Sequence, residues 1–479
     1  MALPTQADDF PAWYQGVVRG ADLAENSLAR GTMVIKPYGY AIWEAIRDAL
    51  DLRFKQTGHE NLYFPMLIPQ SLLEKEKEHV EGFAPEVAVV THAGGEELGE
   101  PLVLRPTSET IIWEAYSRWV QSYRDLPLLY NQWANVVRWE MRPRLFLRTT
   151  EFLWQEGHTA HETREDAWEE TLRMLEVYRE VAEDVMAVPV FKGRKTAAER
   201  FPGADETLTI EALMRDRKAL QSGTSHFLGT NFAVAYGVTF LGRDGEEHHA
   251  FATSWGVSTR LVGGLIMAHG DDKGLRLPPK VAPVQVVIVP IPGSGDQTTS
   301  VINEVTKLEK ELKQTRWDDV PLRVKVDTRE DRPGFKFADA ELRGIPVRLE
   351  LGFRDLQKNE ITLVRRDTGV KTQLGLVGVG QHVPSVLAEI QQALFDDAVS
   401  FRDANTHEAT TYRELRTAIL DAGGFVTGGW CGSPECETKV KTETKATIRF
   451  LPLETEDPGA PCAVCGQPGT ERATWAVAY

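Results

Sequence analysis

The spacing of hydrophobic and polar residues divides the chain into regions with different predicted secondary structure. Apolar residues from Ile42 to Ala49 recur on one face of a helix predicted over Tyr38–Thr57, and Gly58 follows as a natural stop. The next segment, ENLYFPMLIP at 60–69, is predicted to be extended, and its two prolines suit a sheet edge better than a sheet centre. Up to about residue 275 we therefore expect amphipathic helices alternating with antiparallel strands.

A different pattern begins after the proline-rich linker Gly274–Pro283. Short apolar runs alternate there with amphipathic segments at a spacing typical of an α/β unit. Strands are predicted at 284–290, 322–326, 347–351 and 361–366, with helices around 301–313 and 336–343. A third region starts near residue 400 and contains every cysteine.

These regions predict three domains, at 1–275, 281–400 and 401–479. A chain of 479 residues, at roughly 150 per domain, fits that number. The predicted fold class is α/β (α+β): a body built on an antiparallel sheet, an α/β module, and a small cysteine-bearing α/β domain.

Charge and composition exclude several protein classes. Subtracting 70 Asp and Glu from 54 Lys and Arg gives −16, so the chain as a whole is not a basic nucleic-acid coat. Residues 322–371 carry 12 Lys and Arg against 9 Asp and Glu, a local +3 that fits either an RNA-facing patch or an ordinary mixed surface. The opening MALPTQADDF resembles no targeting segment, and no apolar run approaches the roughly 20 residues of a membrane span. We expect a cytoplasmic protein without membrane contact.

The cysteines have the spacing of a metal site. Cys431, Cys436, Cys462 and Cys465 form C-x4-C and C-x2-C pairs, each flanked by Gly and Pro residues that favour tight turns. Two disulfides or inert thiols are the alternative. In a chain without a secretion signal this spacing favours zinc, and four thiolates leave no open position, so the expected Zn²⁺ is structural.

Candidate chemistry in the first region begins with Arg138 and Glu140. The segment VVRWEMRPRLFLRTTEFLWQEGHT at 136–159 predicts a strand ending in Arg138-Trp139-Glu140, a loop, and a returning strand from near Phe146. Residues two apart on a strand share a face, so Arg138 could hold a phosphate beside a hydrogen-bonding carboxylate. A cross-strand surface ion pair explains the same two residues equally well.

Several segments together resemble the class II aminoacyl-tRNA synthetases. The R-x-E pair with Arg148 and Phe152 resembles motif 2, and FATSWGVSTRLVGGLIMAHG at 251–270 resembles motif 3. The helix from Tyr38 with the strand at Pro65 resembles motif 1. RPTSE at 105–109, LRTTEFLWQEGHT at 147–159 and QSGTSHFLGTNF at 221–232 are similar to the substrate loops of the prolyl-tRNA synthetases. GFKFADAELRGIPVRLELGFRDL at 334–356 resembles that family's anticodon-binding domain, and the four-cysteine region resembles the zinc-binding C-terminal domain of its archaeal and eukaryote-like branch.

The resemblance implies a function for each domain. The three would be a catalytic domain, an anticodon-binding domain and a zinc-binding C-terminal domain, in a homodimer that joins proline to tRNA(Pro) through a prolyl-adenylate. Only 94 residues lie between Thr159 and Ser254, which implies that the large editing domain of the bacterial-like branch is missing. Alanine and cysteine, close to proline in size, are then expected to be misactivated.

The resemblance also implies residue roles in ATP binding, with Mg²⁺ held mainly by nucleotide oxygens. Arg138 would bridge the α-phosphate and the proline carboxylate, and Phe152 and Arg260 would enclose the adenine. Arg138 and Arg260 are the implied catalytic residues. The remaining implied ATP contacts are Glu140, Arg148, Thr149, Gln221, Thr224 and Ser258.

The implied proline pocket consists of Thr107, Glu109, Arg138, Trp154, Glu156, His158 and His226. Taken alone, Thr107 is better explained as a helix N-cap, His226 as a structural histidine and Trp154 as core packing; the family spacing reverses the first two. His158 with His161 also suggests a metal pair, although no third ligand is evident.

For the anticodon the available side chains are Lys336, Phe337, Glu341, Arg348, Arg354, Arg365 and Arg366. The apolar C-terminal end, ATWAVAY, is expected to dock on the body of the protein. Related synthetases for threonine, serine, glycine or histidine remain alternatives, although neither pocket zinc ligands nor an N-terminal coiled coil is evident. A synthetase-like paralogue without catalysis is a further alternative, although Arg138, Glu140 and Arg260 are intact.

Overall fold

The first region is built on a seven-stranded sheet. The computed structural model describes residues 3–73, 87–454 and 459–479. The helices of this region are α1 (Phe10–Gly20), α2 (Pro37–Gln56), α3 (Gln70–Leu73), α4 (Glu109–Trp119), α5 (Arg164–Glu180), α6 (Asn231–Tyr236) and α7 (Arg260–His269). The strands are β1 (Ala24–Asn26), β2 (Met33–Ile35), β3 (Glu60–Asn61), β4 (Leu67–Pro69), β5 (Ala88–Ala93), β6 (Glu96–Leu104), β7 (Leu128–Val137), β8 (Glu151–His161), β9 (Val190–Arg194), β10 (Glu206–Leu213), β11 (Ala219–Gly229), β12 (Thr239–Leu241), β13 (Glu247–His249) and β14 (Phe251–Ser258).

The strand order of this sheet is β3-β7-β8-β14-β11-β10-β9. All neighbours are antiparallel except β3, which pairs in parallel with β7 at one edge. This confirms the antiparallel sheet and the edge position of the segment after α2. The helix predicted over Tyr38–Thr57 is also confirmed, since α2 begins at Pro37 and ends at Gln56.

Side-chain alternation on β8 gives the sheet a helical face and an open face. Gln155 accepts a hydrogen bond of 2.7 Å from the hydroxyl of Tyr178 on α5, so its side chain lies on the helical face. The alternate residues Trp154, Glu156 and His158 lie on the opposite face. A helix layer thus supports the sheet from behind and leaves its other face available to a ligand.

The predicted strand limits around Arg138 are wrong. Strand β7 ends at Val137, and β8 starts at Glu151 rather than near Phe146. The Arg138 amide still donates to the Thr150 carbonyl at 2.8 Å, but a tight turn follows in which the Arg144 and Arg148 backbones pair and Phe146 has φ = 63°. This turn replaces the expected strand pairing, so Arg138 and Glu140 are not placed by strand alternation.

The second region is an α/β unit, as predicted. Its helices are α8 (Asp296–Gln314), α9 (Pro333–Leu342), α10 (Phe353–Gln357) and α11 (Val379–Ala404). Its strands are β15 (Val286–Ile291), β16 (Arg316–Trp317), β17 (Val320–Pro321), β18 (Val324–Val326), β19 (Val347–Gly352), β20 (Glu360–Arg365) and β21 (Lys371–Gly375). The sheet order is β18-β15-β19-β20-β21, with parallel pairing on both sides of β15.

The third region is a smaller unit that packs against the first. It contains α12 (Tyr412–Thr417), α13 (Pro434–Thr444), β22 (Thr406–Glu408), β23 (Phe425–Trp430), β24 (Thr447–Phe450) and β25 (Glu471–Ala476), in the sheet order β22-β23-β25-β24. The Tyr479 hydroxyl donates to Asp216 at 2.7 Å, and its amide donates to the Ala219 carbonyl at 3.2 Å. Docking of the apolar C-terminal end on the body is thereby confirmed.

No helix among the described residues is long and apolar enough to cross a membrane.

Candidate active site

A cleft of about 360 Å³ opens on the face of the large sheet opposite α5. Strands β8, β10, β11 and β14, together with the start of α4, bring the residues around it together. Of the residues predicted for the two substrates, those that line it are Thr107, Glu109, Arg138, Phe152, Trp154, Glu156, His158, Gln221, Thr224, His226, Ser258 and Arg260. Residues distant in sequence thus meet in one concave site large enough for small ligands.

At one end of the cleft, Glu156 is the centre of a buried polar network. It accepts hydrogen bonds from the Ser108 amide at 3.1 Å and from the Gln132 amide at 2.8 Å, and it lies 3.0 Å from the Nε2 atom of His158. Burial opposes ionisation, but the hydrogen bond and charge of His158, with the Ser108 and Gln132 donors, lower the pKa of Glu156. The site therefore holds a carboxylate in a fixed orientation.

The start of α4 adds a second carboxylate to this end. Ser108 occupies the N-cap position of α4 without a side-chain capping bond, so Thr107 is not the cap. The Thr107 hydroxyl instead donates to Glu109, which is 4% exposed and lies in the first helical turn. An acid at that position is favoured by the helix dipole, so Glu109 suits a cationic ligand group.

The metal pair suggested by His158 and His161 does not form. Their side chains lie on opposite faces of β8, and the Nε2 atom of His161 pairs with the Thr159 hydroxyl at 2.7 Å. The group that does converge is Glu109, Glu156 and His158, whose ligand atoms lie within 4.8 Å of one another. Two carboxylates and an imidazole at this spacing also suit a cationic amine.

His226 forms a neutral wall of the pocket. Its Nδ1 atom lies 2.9 Å from the Thr207 hydroxyl, and its ring stacks on Phe201 with centroids 4.6 Å apart. Burial, helped by the nearby His158, lowers the pKa of His226 to about 3. An uncharged flat surface of this kind suits an apolar ring.

The other end of the cleft is cationic. The Arg138 guanidinium donates from Nε to the Pro106 carbonyl at 2.9 Å and lies over the rings of Phe152 and Trp154, at 5.7 and 5.2 Å from their centroids. Arg260 starts α7, and burial with the charges of Arg148 and Arg138 lowers its pKa to about 10. Two guanidinium groups beside an aromatic ring can hold an anion and a base together.

Three predicted nucleotide contacts lie outside the residues that line the cleft. Glu140 accepts from the Arg142 amide at 2.8 Å and is 3.9 Å from Arg148, while the Thr149 hydroxyl donates to the Glu151 carbonyl at 2.7 Å. All three belong to the turn between β7 and β8. The predicted contacts of these three residues with ATP therefore require the turn between β7 and β8 to move towards the bound nucleotide.

The four cysteines of the C-terminal region converge on one point. Their sulfur atoms lie within 4.8 Å of one another, with Cys431 3.7 Å from both Cys436 and Cys465, and none forms a disulfide. A tetrahedral Zn–S bond of about 2.3 Å places sulfur atoms about 3.8 Å apart, so this geometry fits zinc. Burial raises the pKa of Cys431 and Cys436, whereas nearby backbone N–H groups outweigh burial and lower the pKa of Cys462 to about 7, towards the thiolate that a metal needs.

Family models match all three regions. The tRNA synthetase class II core domain (G, H, P, S and T) matches residues 90–269, the anticodon binding domain matches 285–384, and the prolyl-tRNA synthetase C-terminal model matches 412–479. The proline–tRNA ligase of Porphyromonas gingivalis strain W83 is 53% identical over 492 residues, which cover 100% of this chain and 99% of that protein. The chain belongs to the prolyl-tRNA synthetase family. The proline–tRNA ligases of Chlorobium limicola and Salinibacter ruber are 54% and 52% identical, over 100% of this chain and 99% of each relative.

The residues that line the cleft from Thr107 to Arg260 lie within the span of the class II core model. Sequence reasoning missed one wall of it, the loop of Glu199, Arg200, Phe201 and Pro202, and also Thr207. No spacing or composition signal marks that loop. Its place next to His226 is decided by tertiary packing alone.

Three of the predicted anticodon residues are buried and bond to other residues of the protein. Arg366 forms a two-bonded ion pair with Asp271 of the first region at 2.6 and 2.8 Å, Lys336 donates to the Asp327 carbonyl at 3.0 Å, and both are buried. Arg348 is buried and pairs with Glu350 at 2.9 Å. Folding gives each of these three a partner within the protein, and Arg348 and Arg366 also line a pocket together with Glu341 and Arg365. Their contact with RNA stays a prediction.

The other predicted anticodon residues are less enclosed. Arg354 is exposed on α10, while Phe337, Glu341 and Arg365 are half-buried. Arg365 pairs with Asp367 at 2.8 Å and with Glu389 at 2.7 Å. Arg354 is the member of this set that is most accessible to a nucleic acid.

Proposed function

We propose that this chain attaches proline to tRNA(Pro) in two steps, by forming prolyl-adenylate from proline and ATP and then transferring the prolyl group. The observation that carries the proposal is the similarity to proline–tRNA ligases, about 53% over the full chain, combined with a cleft that has one acidic and one cationic end. Activation brings two anions together, the proline carboxylate and the α-phosphate. A site for it needs cations and positioning more than a covalent nucleophile.

The acidic end of the cleft would bind the proline ammonium. Proline has a secondary ammonium with two N–H donors, and Glu109 with the Thr107 hydroxyl supplies acceptors for both. The His158–Glu156 pair lies beside them and fixes the local charge. His226 and Trp154 would enclose the apolar ring, which leaves the carboxylate directed at Arg138.

The cationic end would bind ATP. Arg138 would contact the α-phosphate and the proline carboxylate together, which places the attacking oxygen next to phosphorus and stabilises the charge of the transition state. Phe152 and Arg260 would enclose the adenine. Gln221, Thr224 and Ser258, which line the cleft on the neighbouring strands β11 and β14, would complete the nucleotide contacts.

The turn between β7 and β8 and the metal contribute further. On nucleotide binding, Glu140 and Thr149 would hold the adenine and Arg148 the γ-phosphate. Mg²⁺, bound mainly through phosphate oxygens, would supply charge neutralisation of the leaving pyrophosphate. The chain's part is to present Gln221 and Thr224 beside those phosphates.

The C-terminal cysteines would hold a structural zinc ion. Cys431, Cys436, Cys462 and Cys465 fill a tetrahedral site, so no position is left for a substrate or water. The zinc would then stabilise the third domain without entering the reaction.

A homodimer in the cytoplasm is the proposed form of the enzyme. Exposed apolar side chains on and after α2 support it, since Leu52, Tyr63 and Leu67 are 56, 70 and 42% exposed. Sedimentation velocity should show a dimer that Leu52→Glu dissociates. A monomeric wild-type enzyme would contradict this part of the proposal.

We also propose that no editing domain is inserted and that alanine and cysteine are misactivated. Residues 159–254 include α5 and the sheet strands β9, β10 and β11, so this span contributes to the catalytic domain itself. An apolar pocket discriminates against the loss of one methylene by only about 1–3 kcal/mol. Alanine is therefore expected to enter this pocket at a measurable rate.

ATP–pyrophosphate exchange with each of the 20 amino acids tests the activation step. Proline is expected to be strongly ahead, with alanine and cysteine weaker but above background. Strong exchange with threonine, serine, glycine or histidine would indicate a related synthetase. No exchange with any amino acid would indicate a non-catalytic paralogue. Exchange with proline but only background exchange with alanine and cysteine would contradict the proposed misactivation and leave the rest of the proposal intact.

A further inference from the structure

The C-terminal region meets the catalytic sheet directly at its β9 edge. The backbones of Arg194, at the end of β9, and Leu451, just after β24, exchange two hydrogen bonds of 2.9 Å. At the preceding Gly193 a Cβ atom would lie 2.4 Å from the Leu451 carbonyl oxygen, so this close approach needs glycine. The two regions are therefore joined by main chain as well as by side chains.

Beside this junction, one carboxylate is held by a cation from each region. Glu211 on β10 is fully buried and accepts from Lys195 at 2.7 Å and from Arg449 of the C-terminal region at 3.0 and 3.2 Å. Lys195 also donates to the Arg449 carbonyl at 2.7 Å. Burial opposes ionisation of Glu211, but the two cations outweigh it and lower its pKa.

The strand register places Glu211 on the cleft face of the sheet. On β10, Thr207, Thr209 and Glu211 alternate along one face, and Thr207 lines the cleft. Across the ladder Glu211 is paired with Gln221, which also lines the cleft. Glu211 thus lies beside the cationic end of the cleft, next to Gln221, which is a predicted nucleotide contact.

The charges of this cluster act on Arg260. The Arg260 guanidinium donates from Nε to the Leu147 carbonyl at 3.4 Å, and its charged neighbours include Glu211 and Arg449 as well as Arg138 and Arg148. Lys195 and Arg449 together carry one positive charge more than Glu211 can neutralise. While both cations are in place, the Glu211 carboxylate is paired on both sides and Arg260 keeps its hydrogen bond to Leu147.

We propose that Glu211, clamped between Lys195 and Arg449, is a positioning residue for Arg260, so that the cysteine-bearing C-terminal domain completes the ATP-binding end of the cleft. This rests on the proposed function. Without Arg449 the buried carboxylate loses its two-bonded partner and competes for Arg260. ATP binding then weakens, while the proline pocket at the opposite end is untouched.

The test compares three variants of the full-length, zinc-loaded enzyme in ATP–pyrophosphate exchange. Arg449→Gln removes the positive charge. Arg449→Lys keeps the charge but lacks the guanidinium group that forms two hydrogen bonds to Glu211. Glu471→Gln is the matched control, because it breaks the ion pair with Arg194 at the same interface, away from the cluster around Glu211.

Removal of a charged hydrogen-bond partner from a buried group is expected to raise the ATP KM of Arg449→Gln about tenfold, with the proline KM within twofold of wild type. Arg449→Lys should recover part of that loss, and Glu471→Gln should match wild type. If Arg449→Gln does not fold, the test relies on Arg449→Lys, for which the ATP KM should rise while the proline KM stays unchanged.

Equal rises in the ATP and proline KM, or no rise in either, would overturn the proposal. So would an ATP-specific rise in Glu471→Gln, because interface docking in general would then be the cause. A wild-type enzyme without proline-dependent exchange refutes the proposed function instead, so the two failures are distinguishable.

Discussion

The Nε2 atom of His158 lies 3.0 Å from a carboxylate oxygen of Glu156, and both side chains are no more than 3% exposed. Burial alone lowers the pKa of His158, but the charges of Glu109 and Glu156 and the hydrogen bond to Glu156 outweigh it and raise the pKa above 6.5. A buried, charged pair thus forms the base of the proposed proline pocket.

This pair should make folding stability depend on pH. Because the folded-state pKa of His158 is raised, its stabilising contribution is complete below pH 6.5 and is lost as pH rises through the folded-state pKa. Glu156→Gln removes the charge that raises this pKa. Urea unfolding between pH 6 and 9 should show a steeper loss of stability for wild type than for Glu156→Gln.

The control for this measurement is Asp244→Asn, which breaks an exposed pair with His248. It should follow the wild-type pH curve. Parallel curves for wild type and Glu156→Gln would contradict the charged pair.

The close packing of β8 against β14 predicts a large effect of one methyl group. At Gly157 a Cβ atom would lie 2.2 Å from the Trp255 ring, which is buried against Phe54, His59 and Tyr178 on the helical face of the sheet, behind the cleft. Gly157→Ala should therefore lower the free energy of unfolding by about 2 kcal/mol or more and reduce exchange activity. Gly334→Ala, where no atom lies within 4 Å, should leave both unchanged. Equal stability of the two variants in urea unfolding would refute this packing.

Metal removal should affect the third domain first. A strong chelator is expected to remove one zinc ion per chain and to unfold the region around Cys431 and Cys462, because the metal's binding energy is part of the folding energy. Metal analysis and hydrogen exchange measure the two effects. A protein without zinc whose hydrogen exchange is unchanged by chelator would contradict the structural role.

In the second domain, substitution of Arg354 should separate RNA binding from the activation of proline. Arg354→Ala should weaken aminoacylation and leave pyrophosphate exchange unchanged, because this exposed side chain lies on α10, outside the catalytic domain. Lys358→Ala, a nearby exposed cation, is the matched control. Loss of both activities in Arg354→Ala would mean that the residue is structural.

Several residues of the candidate site could be predicted from sequence because the order of their motifs along the chain is informative. Thr107, Arg138 and Arg260 belong to segments with recognisable spacing, and the structure brings all three to one cleft. The wall formed by Phe201 carries no such pattern. Its stacking on His226 depends on where a loop is placed by packing, which local spacing does not encode.

Two other features could not be predicted, for a similar reason. A charge count over residues 322–371 does not reveal that Arg366 forms an ion pair with Asp271, 95 positions away. The strand limits predicted at Arg138 are wrong because the turn at Phe146 adopts a left-handed backbone without glycine. In each case a tertiary contact or a local backbone conformation overrides the sequence pattern.

The central claim is most directly tested by charging of tRNA. Radiolabelled proline, ATP and a tRNA(Pro) transcript should give an acid-precipitable, base-labile prolyl ester whose yield saturates with enzyme, while a tRNA(Thr) transcript should remain uncharged. Proline-dependent exchange without any prolyl-tRNA, or equal charging of both transcripts, would contradict the account.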